Sequence, residues 1–253
     1  MTDIYTSILV GDIEQDTDLS DGVKTVLVDL LTDLSDSREM NQVEEFNPSN
    51  PDSPSPDGTD VLIVPKGLGD DPVELNLENL GNILENLGNT PIVDGRNADA
   101  GIQVDLEAEN NAEDGTLPET RVILGSDYAD QVIGGQADLV VDLGDGDDSI
   151  ITGAGDDTIY MGAGDDTISL SGFDGDYGND YIDGGDGEQD TLILNGSAED
   201  WARVDVDGVT TWTNATTGQT VTTVGVETFE FEFDNVPNSP SQTDTTEDDD
   251  DDL

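Results

Sequence analysis

The sequence predicts a mainly β chain: a parallel β-roll (a solenoid), closed by a β-rich C-terminal cap and preceded by a small N-terminal helical segment. Three observations predict it. From Gly125 to Leu170 the residues recur with a period of nine, clearest in GDGDDSIIT from Gly144, GAGDDTIYM from Gly153 and GAGDDTISL from Gly162. One apolar residue keeps its phase through the copies, as Val132, Val141, Ile150, Ile159 and Ile168. Two residues before it stands an acid, Asp130, Asp148, Asp157 or Asp166, with Leu139 breaking the series.

Each residue type has a physical task at that spacing. Glycines at two alternating positions (Gly144 and Gly146, Gly153 and Gly155, Gly162 and Gly164) let the chain take φ > 0 and turn sharply, with carbonyl oxygens pointing into the turn. The Asp adds a carboxylate, and a shell made only of oxygens is what calcium takes. The following T-I-x or S-I-x makes a very short strand whose Ile or Val points inward. Loop and strand together form half a turn of a coil, so eighteen residues complete one turn and successive turns stack. Acidic, glycine-rich low complexity without a fold would not keep both an apolar position and an acid in phase. After an irregular insert, SGFDGDYG, the pattern resumes at Asn179-Asp180-Tyr181-Ile182 and ends at Gly187-Glu188-Gln189-Asp190-Thr191-Leu192.

These copies closely resemble the RTX (repeats-in-toxin) haemolysin-type calcium-binding repeat. The resemblance covers 125–192 by motif. It extends more loosely to a cap similar to that of serralysin-type proteins, through Asp190–Gly196 and Gly225–Phe231. Trp201 and Trp212 fall in that cap, where hydrophobic closure of the roll's open end is the expected role. The resemblance implies calcium between the loops of copies n and n+2, on one side of the roll. By an eighteen-residue offset one side then carries Asp130, Asp148 and Asp166, giving sites 130/148 and 148/166. The other side carries Leu139, Asp157 and Gly175, with Asp138, Asp174 or Asp176 as substitutes. Asp180 and Asp190 are expected in a further site where the roll restarts. The implied ligand loops contain Gly144, Gly146, Gly153, Gly155, Gly162 and Gly164, for roughly three to five ions in all. The resemblance also implies a secreted protein, exported by type I secretion machinery and folding outside the cell, where it is expected at the cell surface or in the extracellular matrix.

Composition narrows the remaining classes. The chain carries 61 acidic against 6 basic side chains, a formal net charge of −55, with no His and no Cys. Disulfides, thiol nucleophiles, Ser-His-Asp triads, and zinc or haem sites built on His or Cys are excluded. Nucleic acid and anionic membrane surfaces would be repelled. A hard cation that prefers oxygen is the natural counterpart of so many carboxylates. Even five calcium ions would offset only about ten of those charges, so the remainder suits saline or cation-rich surroundings. No apolar run is long enough for a transmembrane helix, and the N-terminus lacks the pattern of a conventional signal peptide.

The chain divides by composition into six stretches. Residues 1–46 form an N-terminal segment in which Val23, Val26, Leu27, Leu30, Leu31 and Leu34 predict an amphipathic helix capped by Ser20 and Asp21. Residues 47–58 are a Pro/Ser-rich linker. Residues 59–120 form a small β-rich region leading into the roll, with strand patterns at Val61–Val64, Val73–Leu77 and Ile102–Leu106 and a Leu-Glu-Asn-Leu-Gly-Asn repeat over 77–89. The roll occupies 121–192, the cap 193–235, and an acidic tail of the kind that stays disordered 236–253. The roughly 120 residues upstream of the roll contain neither a metal triad nor a G-x-S-x-G elbow, so a non-enzymatic calcium-binding protein is expected. The alternative is a hydrolase fragment or subunit in which the roll serves only export and folding. Composition leaves a carboxylate-pair glycosidase open in principle, in an unusually small domain. The acidic surface and the apolar helix also leave room for calcium-bridged self-association.

Overall fold

Strands of three or four residues do not stand alone in water; they form when a like segment pairs on each side. In the computed structural model the described residues are 24–25, 43–45, 61–64, 73–76, 92–106, 120–171 and 177–232. Upstream of the repeats lie β1 (Val43–Glu45), β2 (Val61–Ile63), β3 (Val73–Asn76), β4 (Ile92–Asp94), β5 (Ile102–Asp105) and β6 (Thr120–Leu124). The repeats form β7 (Gln131–Ile133), β8 (Asp138–Asp142), β9 (Ser149–Ile151), β10 (Thr158–Tyr160), β11 (Thr167–Ser169), β12 (Asp180–Asp183) and β13 (Thr191–Leu194). Four more follow: β14 (Trp201–Val206), β15 (Val209–Asn214), β16 (Thr220–Val224) and β17 (Thr228–Phe231). Of the helix expected over 23–34, only Lys24 and Thr25 are described, and they are helical. The 47–58 linker, the 77–89 repeat and the 236–253 tail lie outside the described residues.

From β2 to β13, successive strands go alternately to two sheets, one ordered β1-β2-β4-β6-β8-β10-β12 and the other β3-β5-β7-β9-β11-β13, every pairing parallel. This is a parallel β-roll. Two columns of apolar side chains run through its core, joined by Leu139, Leu143, Met161 and Leu170. Ile123, Val141, Ile159 and Ile182 stack in the first sheet. Val104, Val132, Ile150, Ile168 and Leu192 stack in the second. All of these are essentially buried. The five apolar positions of the nine-residue period thus split between the sheets, as a half-turn per copy requires. Strands β4 and β5 pair in register with β6 and β7, so the sheets run on through residue 120 without a break in pairing.

The insert lengthens one turn. Ile159 pairs with Ile182, a step of 23 residues, where Val141 to Ile159 is a step of 18. Beyond β13 the chain leaves the coil for an antiparallel β14–β15–β16 meander. It then lays β16 parallel to β12 and β17 parallel to β13, so the cap supplies the last rung of both sheets. Trp212 is buried there against Phe229 and Phe231, with ring centroids 5.2 and 5.6 Å away, and Arg203 stacks over Trp212 and Phe229. Trp201 packs on Tyr177 at 5.6 Å and donates its indole N–H to the Asn195 carbonyl. Among the described residues no helix is long and apolar enough to cross a membrane.

Glycine is demanded where loops of successive turns touch. At Gly164 φ is +149°, and a Cβ would lie 1.7 Å from the Gly146 carbonyl oxygen of the turn below. Gly208, in the β14–β15 turn, also has positive φ, but a Cβ there would meet nothing within 4 Å. Gly208→Ala is therefore expected to cost only the left-handed strain, about 1–2 kcal/mol. Gly164→Ala must also push apart the stacked loops that meet there, and should cost clearly more. Thermal unfolding of both variants in calcium checks this; equal losses would mean that the loops do not stack as described.

Candidate metal centre

Except at Leu139, each nonapeptide loop ends in an Asp at or just before the start of a strand. Because the strands are parallel and in register, these Asp residues line up along the roll. On the side that leads into the second sheet, the Asp130 N–H donates to Asp148 Oδ1 (2.7 Å), Asp148 N–H to Asp166 Oδ1 (2.8 Å) and Asp166 N–H to Asp190 Oδ1 (2.9 Å). The loops themselves stack through bridges from Ala163 to Asp145 and Asp186. On the other side Leu139 N–H donates to Asp157 Oδ1 (2.8 Å) and Asp157 N–H to Asp180 Oδ1 (3.1 Å). Gly144, Gly146, Gly162 and Gly164 turn the first side's loops and Gly153 and Gly155 the second's, all at positive φ.

Two sequence expectations are corrected by this arrangement. Asp180 and Asp190 do not share a site: Asp180 continues from Asp157 on one side and Asp190 from Asp166 on the other. The position assigned to Gly175 by an eighteen-residue offset is filled by Asp180, because the insert adds five residues to that turn and the strand register absorbs them. Asp174 and Asp176 lie outside the described residues. Asp138 belongs to a separate exposed ladder, accepting from the Asp156 N–H at 2.8 Å. In that outer series Asp147 accepts from Asp165 N–H, Asp156 from Asn179 N–H, and Asp165 from the amides of Glu188 and Gln189. Its bonds run in the opposite direction to those of the buried ladder. Nothing in the nine-residue phase announced it, because the acid at this position reads as a solvated charge.

The second oxygen of each buried Asp decides the chemistry. Asp148, Asp157, Asp166, Asp180 and Asp190 are each no more than 3% exposed, and the Oδ2 of every one is buried without a hydrogen-bond partner. A buried carboxylate oxygen left this way is costly, by several kcal/mol for a charged group. Asp130 is different. Its Oδ1 accepts from Ile102 N–H (2.6 Å) and the Ser126 hydroxyl (2.9 Å), and its Oδ2 from Ser126 N–H (2.7 Å). Ser126 thus supplies the donors that the other five oxygens lack, a role the sequence reading did not assign.

Burial pushes these carboxyls well above the ordinary range: Asp157 to about 9, Asp148 to about 8, Asp180 to about 7, and Asp166 and Asp130 to about 6. Neighbouring carboxylates add to the rise, Asp180 on Asp157 and Asp130 and Asp166 on Asp148. Asp190 moves the same way, by burial and then by Glu227. No three described carboxylates gather in one cluster, so a cation held here would draw on loop carbonyls as well. The loops are built for that. Beside Gly187, the point where a Cβ would sit lies 2.3 Å from the Gly164 carbonyl oxygen and 2.5 and 2.7 Å from the two oxygens of Asp190. Orphaned anionic oxygens converging with carbonyls on space that only glycine leaves open fit a hard, oxygen-seeking cation such as calcium. When bound, such an ion supplies the positive charge that the protein's own donors do not.

Two predictions follow from this geometry. Asp148→Asn should raise the calcium midpoint of folding about tenfold or more, whereas Asp130→Asn, whose oxygens are already partnered, should raise it no more than about threefold. Exposed Asp127, outside the ladder, should tolerate the same change with no shift. Calcium titrations of the three variants followed by circular dichroism check this; equal effects would contradict the ladder. The second concerns pH. The unfolded chain loses these protons near the ordinary carboxylate value, while the metal-free roll holds them up to about 6–9. Stability of the metal-free roll is therefore full below that ordinary value and lost as pH rises through the folded-state range. Calcium should flatten or reverse the trend, since it needs the carboxylates ionised. Circular dichroism against pH, in chelator and in calcium, reads both slopes.

Comparison with known proteins agrees with the geometry. Residues 140–171, spanning β8 to β11, match the family model of the RTX calcium-binding nonapeptide repeat in four copies. No curated protein matches the chain. With two stacked parallel sheets, a loop Asp at every half-turn of the repeats but that of Leu139, and this match at the centre of the stack, residues 140–171 of the chain are RTX haemolysin-type calcium-binding repeats within a parallel β-roll.

Proposed function

We propose that this chain is a secreted, non-enzymatic calcium-binding protein whose roll folds on meeting extracellular calcium, and that it acts at the cell surface or in the extracellular matrix. The observation that carries this reading is the set of five buried Asp Oδ2 atoms without a partner. In the metal-free state these groups oppose folding, and neighbouring turns bring them close enough to repel. A divalent ion removes both penalties at once, so binding free energy becomes folding free energy. Asp148, Asp157, Asp166, Asp180 and Asp190 are the proposed carboxylate ligands; Asp130, whose oxygens already accept from Ile102 and Ser126, is left out of the set. The glycine loops at 144–146, 153–155 and 162–164 supply carbonyls, for roughly three to five ions.

Type I secretion follows from the RTX resemblance. It is supported by the physical match between a roll that resists folding without calcium and an export route that takes unfolded chains. The non-enzymatic reading is supported by how the described residues are used, since from β2 to β17 every strand belongs to the roll or its cap. We read 1–46, 47–58 and 236–253 as flanking segments of this calcium-dependent body.

The test is a calcium titration followed by far-UV circular dichroism and tryptophan fluorescence, with magnesium at matched ionic strength as control. The expected result is a cooperative gain of β signal at sub-millimolar to millimolar calcium that magnesium does not reproduce. Folding that ignores calcium, or answers equally to any salt, would overturn the proposal.

A further inference from the structure

The ladder on the first side does not stop where the repeats stop, but runs out to the surface at Glu227, which is exposed. Asp190 N–H donates to Glu227 Oε2 at 3.0 Å, the bond that Asp166 N–H makes to Asp190 one turn earlier. The backbone repeats as well. Thr228 N–H donates to the Asp190 carbonyl (2.9 Å) as Thr191 N–H does to the Asp166 carbonyl (2.8 Å). Phe229 pairs with Leu192 in the inward column. Glu227-Thr228-Phe229 is thus a further rung, built like Asp190-Thr191-Leu192 but with a longer acid and a single glycine of the nonapeptide pattern before it, Gly225, at positive φ.

A second, independent observation points to a ligand at this rung. Asp190 is fully buried and its Oδ2 has no partner. A Cβ placed on Gly184 would lie 2.5 Å from the Gly225 carbonyl oxygen and 3.0 Å from Asp190 Oδ2, so both oxygens face one space that glycine keeps open. The 2.5 Å to the Gly225 oxygen falls within the ~2.3–2.6 Å that calcium keeps from oxygen, and the 3.0 Å to Asp190 Oδ2 lies beyond it. From these observations we infer that Asp190 Oδ2, the Gly225 carbonyl and the Glu227 carboxylate form a terminal calcium site that fastens the final cap strand to the roll. The inference rests on the calcium-dependent reading above and adds a ligand outside the repeats. The site sits at the start of β17, the strand that brings Phe229 and Phe231 against Trp212. Closure of the cap then depends on calcium in its own right, after the roll beneath it has formed.

The test uses the full chain with Trp201→Phe, so that Trp212 alone reports closure. Trp212 emission, far-UV circular dichroism and bound calcium per chain are measured in one titration. Glu227→Gln is expected to raise the calcium midpoint of the Trp212 change about tenfold and to remove one bound ion, while the far-UV midpoint stays within about twofold. Glu232→Gln, exposed on the same segment, should change none of these. Gly184→Ala, which fills the space and leaves Glu227 in place, should lose the same single ion. Retention of the parent's ion count and Trp212 midpoint in Glu227→Gln, or of that ion in folded Gly184→Ala, would overturn the site. If the parent itself binds no calcium, the broader proposal fails and this one with it; if the parent binds and the variants match it, only the terminal site fails.

Discussion

A carboxylate oxygen buried without a donor is the constraint on which the rest of this structure depends. The roll places an Asp at the head of its repeat strands, uses one oxygen to stitch that turn to its neighbour through a backbone N–H, and leaves the other facing inward with nothing to bind. The first oxygen sets the stacking distance and direction. The second, in the function proposed above, makes the stack conditional on a cation. Where the condition is lifted, at Asp130, the change is local and specific: Ser126 contributes its N–H and hydroxyl, and Asp130 sits among protein donors at the point where the loops stop carrying the repeat.

The hydrophobic contribution explains why the ions matter so much. A three-residue strand sends one side chain inward and the residue two further on adds a second, so a repeat buries only a pair such as Ile159 with Met161 or Ile168 with Leu170. A core of that width cannot outweigh both the ordering of long glycine-rich loops and the repulsion of stacked acids. The ends of the stack are treated differently. Toward the N-terminus the sheets continue with strands joined by connections of irregular length, although Gly67-Leu68-Gly69-Asp70-Asp71 ahead of β3 repeats the Gly-Asp signature, and β6 and β8 are buried on both faces. Toward the C-terminus an aromatic cluster around Trp212 closes the end that two more parallel strands complete.

Much of this was legible in the sequence, and what was not has identifiable causes. The period of nine and the phase of Val132, Val141, Ile150, Ile159 and Ile168 give the two columns directly, because strand geometry forces alternate copies to opposite sheets. Gly175 was placed opposite Asp157 because an eighteen-residue offset was carried across an insert that the register absorbs by lengthening one turn, and Asp180 and Asp190 were grouped as a restart although successive half-turns send them to opposite ladders. Glu227 was missed because its loop has no glycine–aspartate signature, although an acid two residues before an inward apolar residue was there to be seen in Glu227-Thr228-Phe229. Ser126 was missed because a hydroxyl standing in for a cation leaves no periodic trace. The stacking of 61–105 on the same sheets was hidden because irregular connections dilute the repeat while the strands stay in register.

The central claim is that the five orphaned oxygens are cation ligands and that Asp130 is already satisfied. The measurement that tests it most directly is a crystal structure of the calcium-loaded protein with ions located by anomalous scattering. The account predicts ions within about 2.3–2.6 Å of Oδ2 of Asp148, Asp157, Asp166, Asp180 and Asp190, and none on Oδ2 of Asp130. Those oxygens found bare, or bound only to water or to protein donors while the roll stays folded, would contradict it.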